Sequence, residues 1–309
     1  MIPDTPSSTS ISSSRPPSLR IEISDTLSSS QQSDSHSDTD SLFDDPSEES
    51  MESPSLDAPV SITPDPASLT PPPIPGLYFE PTVLSQSYCE EVMHLCLQRY
   101  FRDGHDQVML FERLIPSEED PSKYCVSPLS KFPSFLSDLL SVLSQQLLPA
   151  IPPDVHAILF PPPDLPPYRA RQVIINAYLP GEGITPHVDL LDRYGDGIVG
   201  VSLGSGSVMQ FQKVTSDERP SYNSKLPQDP GSPKYGIYLP PGSAYVMSGE
   251  ARYDWTHGIE GKTEDWVLSE DGIGASVLQP RTFRVSVTFR WLLPGADQVG
   301  KAQSDSDSL

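Results

Sequence analysis

His187 and Asp189 stand two residues apart in NAYLPGEGITPHVD (residues 176–189), just after a Pro-Gly-rich turn. Successive strand side chains alternate faces, so residues i and i+2 point the same way. An imidazole and a carboxylate on one face of a strand can be a buried hydrogen bond, a catalytic dyad or two ligands of one metal. A His-x-Asp pair also arises by chance, and a lone His is more often a satisfied polar residue than a ligand.

Two imidazoles and one carboxylate, with positions left open for other ligands, suit non-haem Fe(II). That chemistry requires a second, distant His. The chain has six His residues. His36 lies in a Ser-rich stretch, His94 falls on a predicted helix, and His105 and His156 precede the strand-rich region. His257, in GEARYDWTHGI, follows a strand-like run and precedes a Gly, where a loop-borne ligand can reach back.

RVSVTFR (284–290) places Arg284, Ser286, Thr288 and Arg290 on one face of a strand and Val285, Val287 and Phe289 on the other. An exposed polar face explains that alternation without any function. The two arginines are nevertheless about 20 Å apart at roughly 3.3 Å per residue, so long side chains can converge on a ligand between them. A planar guanidinium makes two parallel hydrogen bonds to a carboxylate, and a cosubstrate with two carboxylate ends fits this spacing.

Several elements must position these groups. Ser87-Tyr88-Cys89-Glu90 fits a capping box opening a helix to about Tyr100, with Tyr88, Val92, Leu95 and Cys96 on its apolar face. A second helix is predicted over Ser134–Leu147, with Phe135, Leu136, Leu139, Leu140, Leu143 and Leu147 at helical spacing. From residue 168 onward the pattern is short strands: RQVIINAYL, GIVGVSLG, SVMQFQKV, YGIYLPPGSAYVMSG and RTFRVSVTFRWLL. Two polar inserts interrupt them, SDERPSYNSKLPQDPGSPK and KTEDWVLSEDGIGASVLQPR. The expected fold is mainly β with flanking helices, a jelly-roll sandwich.

Composition separates this unit from its ends. Residues 1–75 are dominated by Ser, Pro, Thr and Asp, and 296–309 resemble them. Both are too poor in apolar side chains to offset the entropy of ordering, so they are expected to be disordered tails around one domain at 76–295. Of the formal net charge of −22, −11 falls in residues 1–75 and −2 in the C-terminal tail, leaving −9 for the core. An acidic core counts against indiscriminate duplex binding. Cys89, Cys96 and Cys125 lack metal-like spacing and read as reduced thiols, the first two packed on the first helix. No stretch is long and apolar enough for a membrane span, and the N-terminus lacks a signal-peptide pattern. Cytoplasm or nucleus is expected, without a choice between them, and the oligomeric state is not read.

Asn176-x-Tyr178, His187-x-Asp189, a distal His257 and Arg284-x5-Arg290 occur in the order found in the AlkB family of Fe(II)- and 2-oxoglutarate-dependent dioxygenases, which residues 75–293 resemble. ARYDWTHGI, SLGSGSVMQF and PGLYF share that likeness. The resemblance implies a double-stranded β-helix with iron held by His187, Asp189 and His257, and 2-oxoglutarate and O2 as cosubstrates. It further implies that Arg284 pairs with the far carboxylate of 2-oxoglutarate and that Asn176 and Tyr178 hydrogen-bond the same molecule. Arg290 is placed nearer the metal, between cosubstrate and substrate. The implied chemistry hydroxylates a C–H bond; on an N-methyl group the product collapses to formaldehyde and the demethylated amine.

Repair members of the family often carry an acid two positions after the ligand Asp. Here that position is Leu191, with Asp192 following, which lowers the expectation of methyladenine or methylcytosine repair. The GEARYDWTHGI wording resembles the branch acting on wobble uridines of tRNA, although neither an RNA-recognition segment before the domain nor a methyltransferase domain after it is read in the sequence. Arg99, Arg102 and Arg113, with Phe101 and Phe111, fall where the family builds its substrate-facing cover. They can contact a nucleotide or form an ordinary solvated loop. Nucleic acid, with RNA preferred to DNA, is the expected substrate. The alternatives are a protein side chain and a catalytically silent binding module.

Overall fold

Two antiparallel sheets enclose the site between their inner faces. The computed structural model describes residues 66–102, 104–162, 169–214, 231–269 and 276–296. Along the chain run β1 (Leu77–Glu80), α1 (Gln86–Tyr100), β2 (Gln107–Phe111), β3 (Leu114–Pro116), β4 (Tyr124–Val126), α2 (Ser134–Leu147) and α3 (Pro153–Leu159). β5 (Arg171–Tyr178), β6 (Ile184–His187), β7 (Tyr194–Gly204), β8 (Ser207–Lys213), β9 (Lys234–Leu239) and β10 (Ala244–Met247) follow. The described chain ends with α4 (Glu250–Tyr253), β11 (Trp255–Ile259), β12 (Glu264–Leu268), β13 (Ser276–Pro280) and β14 (Arg284–Leu292).

The larger sheet has the order β1-β10-β7-β14-β5-β2 and the smaller β6-β11-β8-β9, the jelly-roll arrangement expected. Period-two alternation sorts the larger sheet's side chains. Val173, Ile175, Val199, Val201, Val285 and Val287 face outward into a core built with α1, α2 and α3. The helices supply leucines at helical spacing, with Leu136, Leu139 and Leu143 fully buried. Inward residues such as Phe79, Tyr245 and Met247 meet Phe211, Ile237 and Leu239 of the smaller sheet in a second core. Polar groups occupy the rest of that inner face.

Four differences from the sequence reading have physical causes. The α1 cap is Ser85, whose hydroxyl accepts from Tyr88 N, while Gln86 rather than the cap engages Glu90. The ordered unit begins before residue 76: Ala67 bridges Val267, Ser68 bridges Ile237, and Ala67 and Ile74 are buried. A Pro-rich composition hid this, because backbone pairing needs no apolar run. KTEDWVLSEDGIGASVLQPR carries a hairpin rather than a plain insert, with β12 paired to β13 and locked by a buried Asp265–Arg281 pair at 2.6 Å. β2, unforeseen, extends the larger sheet beyond β5. The tails at 1–65 and 297–309, and most of SDERPSYNSKLPQDPGSPK, lie outside the described residues.

Cys89 and Cys96 are buried on α1 as expected, and burial pushes the Cys96 thiol up to about 12. No helix among the described residues is long and apolar enough to cross a membrane.

Candidate metal centre

β6 and β11 are neighbours in the smaller sheet, and their register sets His187 directly opposite His257. The two imidazole centroids are 4.4 Å apart. Asp189, just past the end of β6, is 5% exposed, and its Oδ2 lies 3.9 Å from His257 Nε2. One donor atom from each of the three lies within 4.8 Å of the others, which puts a common point about 3 Å or less from each. His187 Nδ1 lies 2.9 Å from the Thr185 carbonyl, and an oxygen that can only accept forces the proton onto Nδ1. Nε2 is thereby left as a lone-pair donor, the orientation a ligating His takes from a backbone carbonyl.

Charge states match ligation. Burial raises the Asp189 carboxyl, but Arg290, His257, His187 and Arg252 more than offset it and hold the group well below the ordinary carboxylate range. Burial, reinforced by His187, pushes His257 down to about 3. One carboxylate and a neutral imidazole at pH 7, beside a second His with a free lone pair, fit a divalent cation whose ligands must be deprotonated. Arg290 Nη1 donates to Asp189 Oδ1.

The depressed His257 has a measurable consequence for the metal-free protein. The unfolded chain takes up this proton near pH 6.5 and the folded chain only near 3. Between those values the unfolded state binds more protons, so stability falls as pH drops from 6.5 toward 3. Urea titrations from pH 6.5 to 5 are expected to show a loss of about 2 kcal/mol that His257→Asn removes. Equal slopes in the two proteins refute a neutral buried His257.

The face of β14 carrying Arg284, Ser286 and Arg290 is buried, at 4%, 8% and 5% exposure. That decides against an exposed polar face. Register places Arg284 opposite Tyr178 on β5 and Ser286 opposite Asn176. Arg284 Nε donates to Ser202 Oγ at 2.9 Å, and its guanidinium carbon lies 5.1 Å from the Tyr178 ring centroid. Arg284 Nη1 is buried without a hydrogen-bond partner among the described residues. A buried cationic donor left unused is costly unless an anion meets it, so this side of the site fits a carboxylate. Asn176 Nδ2 donates to Tyr178 Oη at 3.2 Å, while Gln107 Nε2 donates to Asn176 Oδ1 at 3.0 Å.

The two arginines do not converge on one point: Arg284 turns to Ser202 and Tyr178, and Arg290 to Asp189. Leu191 is 42% exposed on the loop leaving Asp189. Arg113 is exposed, its backbone tied to Ser127 and Ser130. Arg99 and Arg102 line a groove with Phe135, and Phe101 packs on the helical core. These three lie on or beside α1, which covers the outward valines of the larger sheet, and of the two readings this favours an ordinary surface over a nucleotide cover. Phe111 does face inward on β2, opposite Gln172, and the Arg193 guanidinium carbon lies 5.6 Å from its ring centroid. His156 bonds the Ser144 carbonyl rather than joining the triad.

Several site residues escaped the sequence reading. Tyr245 sits across from Gly200, where a Cβ would come within 2.3 Å of its ring. The missing side chain at Gly200 is what admits the phenol, which burial pushes up to about 12 and which bonds Thr288. A Gly inside the strand pattern GIVGVSLG was the available signal, since such a residue marks a close approach. Gln107 and the fully buried Arg252 gave none.

Fold and site together define a metalloprotein of the Fe(II)/2-oxoglutarate class on a double-stranded β-helix. Residues 105–290 match the family model described as the 2OG-Fe(II) oxygenase superfamily, and the chain belongs to that family. Its relatives include uncharacterized protein L905 of Acanthamoeba polyphaga mimivirus, 40% identical over 40% of this chain and 48% of that one. The tRNA (carboxymethyluridine(34)-5-O)-methyltransferase alkbh8 of Xenopus tropicalis is 35% identical over 38% of this chain and 18% of its own length. The N6-methyladenosine RNA demethylase ALKB1 of Pyricularia oryzae is 31% identical over 40% and 36%. The chain spans no more than about half the length of these curated relatives.

Proposed function

We propose that this chain is an Fe(II)- and 2-oxoglutarate-dependent dioxygenase that hydroxylates or oxidatively demethylates a nucleic-acid base, with RNA preferred to DNA. The observation that carries the reading is the His187–Asp189–His257 cluster on the smaller sheet together with a buried arginine with an unused donor on the inner face of the larger sheet. In this reading the three donors hold iron, which when bound supplies oxidation of a C–H bond with O2 and 2-oxoglutarate. Arg284 anchors the far carboxylate of the keto acid, and Asn176 and Tyr178 orient it. Burial excludes water from both. Arg290 keeps Asp189 anionic and borders the substrate side.

The RNA preference rests on two supports. Two relatives bear names that refer to RNA, one a tRNA methyltransferase and one an RNA demethylase. In this chain the loop after Asp189 also sets Arg193 against Phe111, a cation beside an aromatic face in an otherwise acidic domain. Aromatic and guanidinium surfaces of this kind stack unpaired bases. Leu191 replaces an acid at the lip, so readout there is apolar.

Succinate formation from 2-oxoglutarate, screened against tRNA, methylated RNA and DNA oligonucleotides and peptides, tests the proposal. Turnover stimulated at least tenfold by an RNA supports it. Stimulation by peptides alone moves the substrate to a protein side chain. Absence of any succinate with iron bound leaves a silent binding module and defeats the proposal. The cytoplasm or the nucleus is the proposed setting.

A further inference from the structure

Arg252 is 1% exposed, and it is a charged side chain that the metal and cosubstrate assignments do not use. Its guanidinium donates in four directions. Nη1 bonds the Asp189 carbonyl at 3.0 Å, Nη2 bonds those of Leu190 at 3.2 Å and Tyr194 at 3.0 Å, and Nε bonds that of Gly195 at 3.3 Å. Every acceptor is main chain, and together they are the two ends of one loop, 189–195. Among the described residues no carboxylate lies within ion-pair distance of Arg252.

We propose that Arg252 is the positioning residue of this centre: it fixes the backbone from which the Asp189 carboxylate projects and closes the loop that forms the substrate-side lip. This rests on the reading of the triad as a metal site. Only a planar fork with five donors can bond four carbonyls spread around it; a lysine ammonium is one point with three donors on a flexible stem. A buried cation with no carboxylate in direct contact is expensive, and the nearby Asp189 and Asp196 charges offset its burial only in part, so its retention here has to be repaid by what the four bonds hold.

The mount of Arg252 is built for the same purpose. Asp196 Oδ1 accepts from Gly249 N at 3.0 Å and Gly197 N at 2.8 Å, and its Oδ2 accepts from Ser248 Oγ at 3.0 Å. These bonds pin the start of α4, which carries Arg252, to the strand that continues the clamped loop. Gly249 reaches that position with φ +53°, and the Tyr253 ring lies 4.9 Å from the guanidinium carbon. Leu190, Leu191 and Arg193 ride on the loop, so one side chain sets both ligand geometry and lip.

Mn(II) binding to the metal-free full chain, without turnover, is the main readout. Wild-type protein is expected to bind Mn(II); failure there defeats the metal-site reading itself, apart from the role of Arg252. Arg252→Lys is expected to bind at least about tenfold more weakly, the size of effect typical of groups just outside a ligand set, while still unfolding cooperatively. Arg281→Lys, which disturbs another buried arginine in the β12–β13 hairpin, is the control and is expected to keep wild-type Mn(II) affinity at a comparable loss of stability. Unchanged affinity in Arg252→Lys, or an equal loss in Arg281→Lys, overturns the proposal. Should Arg252→Lys fail to fold, the wild-type Arg252 Nε–H resonance decides: it is expected to exchange slowly with solvent and to shift on adding Zn(II), and a resonance that stays put refutes the clamp.

Discussion

His187→Ala is expected to abolish succinate formation while leaving the metal-free protein close to wild-type stability. The two effects separate because of where His187 sits. It is half-buried, and its one structural bond runs to a carbonyl two residues away. Losing a local bond of that kind costs about 1 kcal/mol. Losing a ligand costs far more, since even groups outside a ligand set are worth 10–100-fold in affinity or activity, so activity is expected to fall by more than about 100-fold. Asp189→Ala is expected to abolish activity equally but also to destabilise the fold. It leaves Arg290 as a buried cation whose carboxylate has gone, a loss of about 3–5 kcal/mol in comparable buried pairs. Succinate assays and urea unfolding on both variants check the contrast. Retention of more than a tenth of the activity in His187→Ala rules out its role as a ligand.

Why the centre was legible and its surroundings were not follows from geometry. His187, Asp189 and the alternation in RVSVTFR are local patterns, and strand periodicity converts them directly into shared faces. His257 was reached by eliminating the other His residues, and its direct register opposite His187 turned a guess about reach into a cross-strand pair. The inner face of β14 was ambiguous in sequence because period two identifies a face without saying what covers it. The smaller sheet covers it, so Arg284, Ser286 and Arg290 are buried. Arg252 was illegible for a different reason: it acts through backbone carbonyls, which every residue has, and no pattern of side chains marks their use. Arg99 and Arg102 stayed open between a nucleotide contact and an ordinary surface because position along the chain does not give position in space. The helix they end lies on the far side of the larger sheet.

Arg284→Met is expected to weaken 2-oxoglutarate binding while making the cosubstrate-free protein no less stable. At 4% exposure Arg284 keeps bonds to Ser202 and Tyr178 and an unused Nη1, and burial drives its pKa down. A methionine of similar length removes an underused buried charge, and such replacements are often neutral or stabilising. The cosubstrate's carboxylate loses charge-assisted bonds worth about 1.5–3 kcal/mol, so its dissociation constant is expected to rise roughly 10- to 150-fold. Thermal unfolding with Mn(II) in place of iron measures both at once: the melting temperature without 2-oxoglutarate holds or rises, and the increase on adding it disappears. A structural arginine gives the opposite pattern, lowering stability while cosubstrate affinity is preserved. Trading stability for an unpaired donor makes sense only if an anion completes the bond, and the larger sheet offers that anion a place beside Tyr178 and Asn176, on the inner face that the smaller sheet with its triad covers.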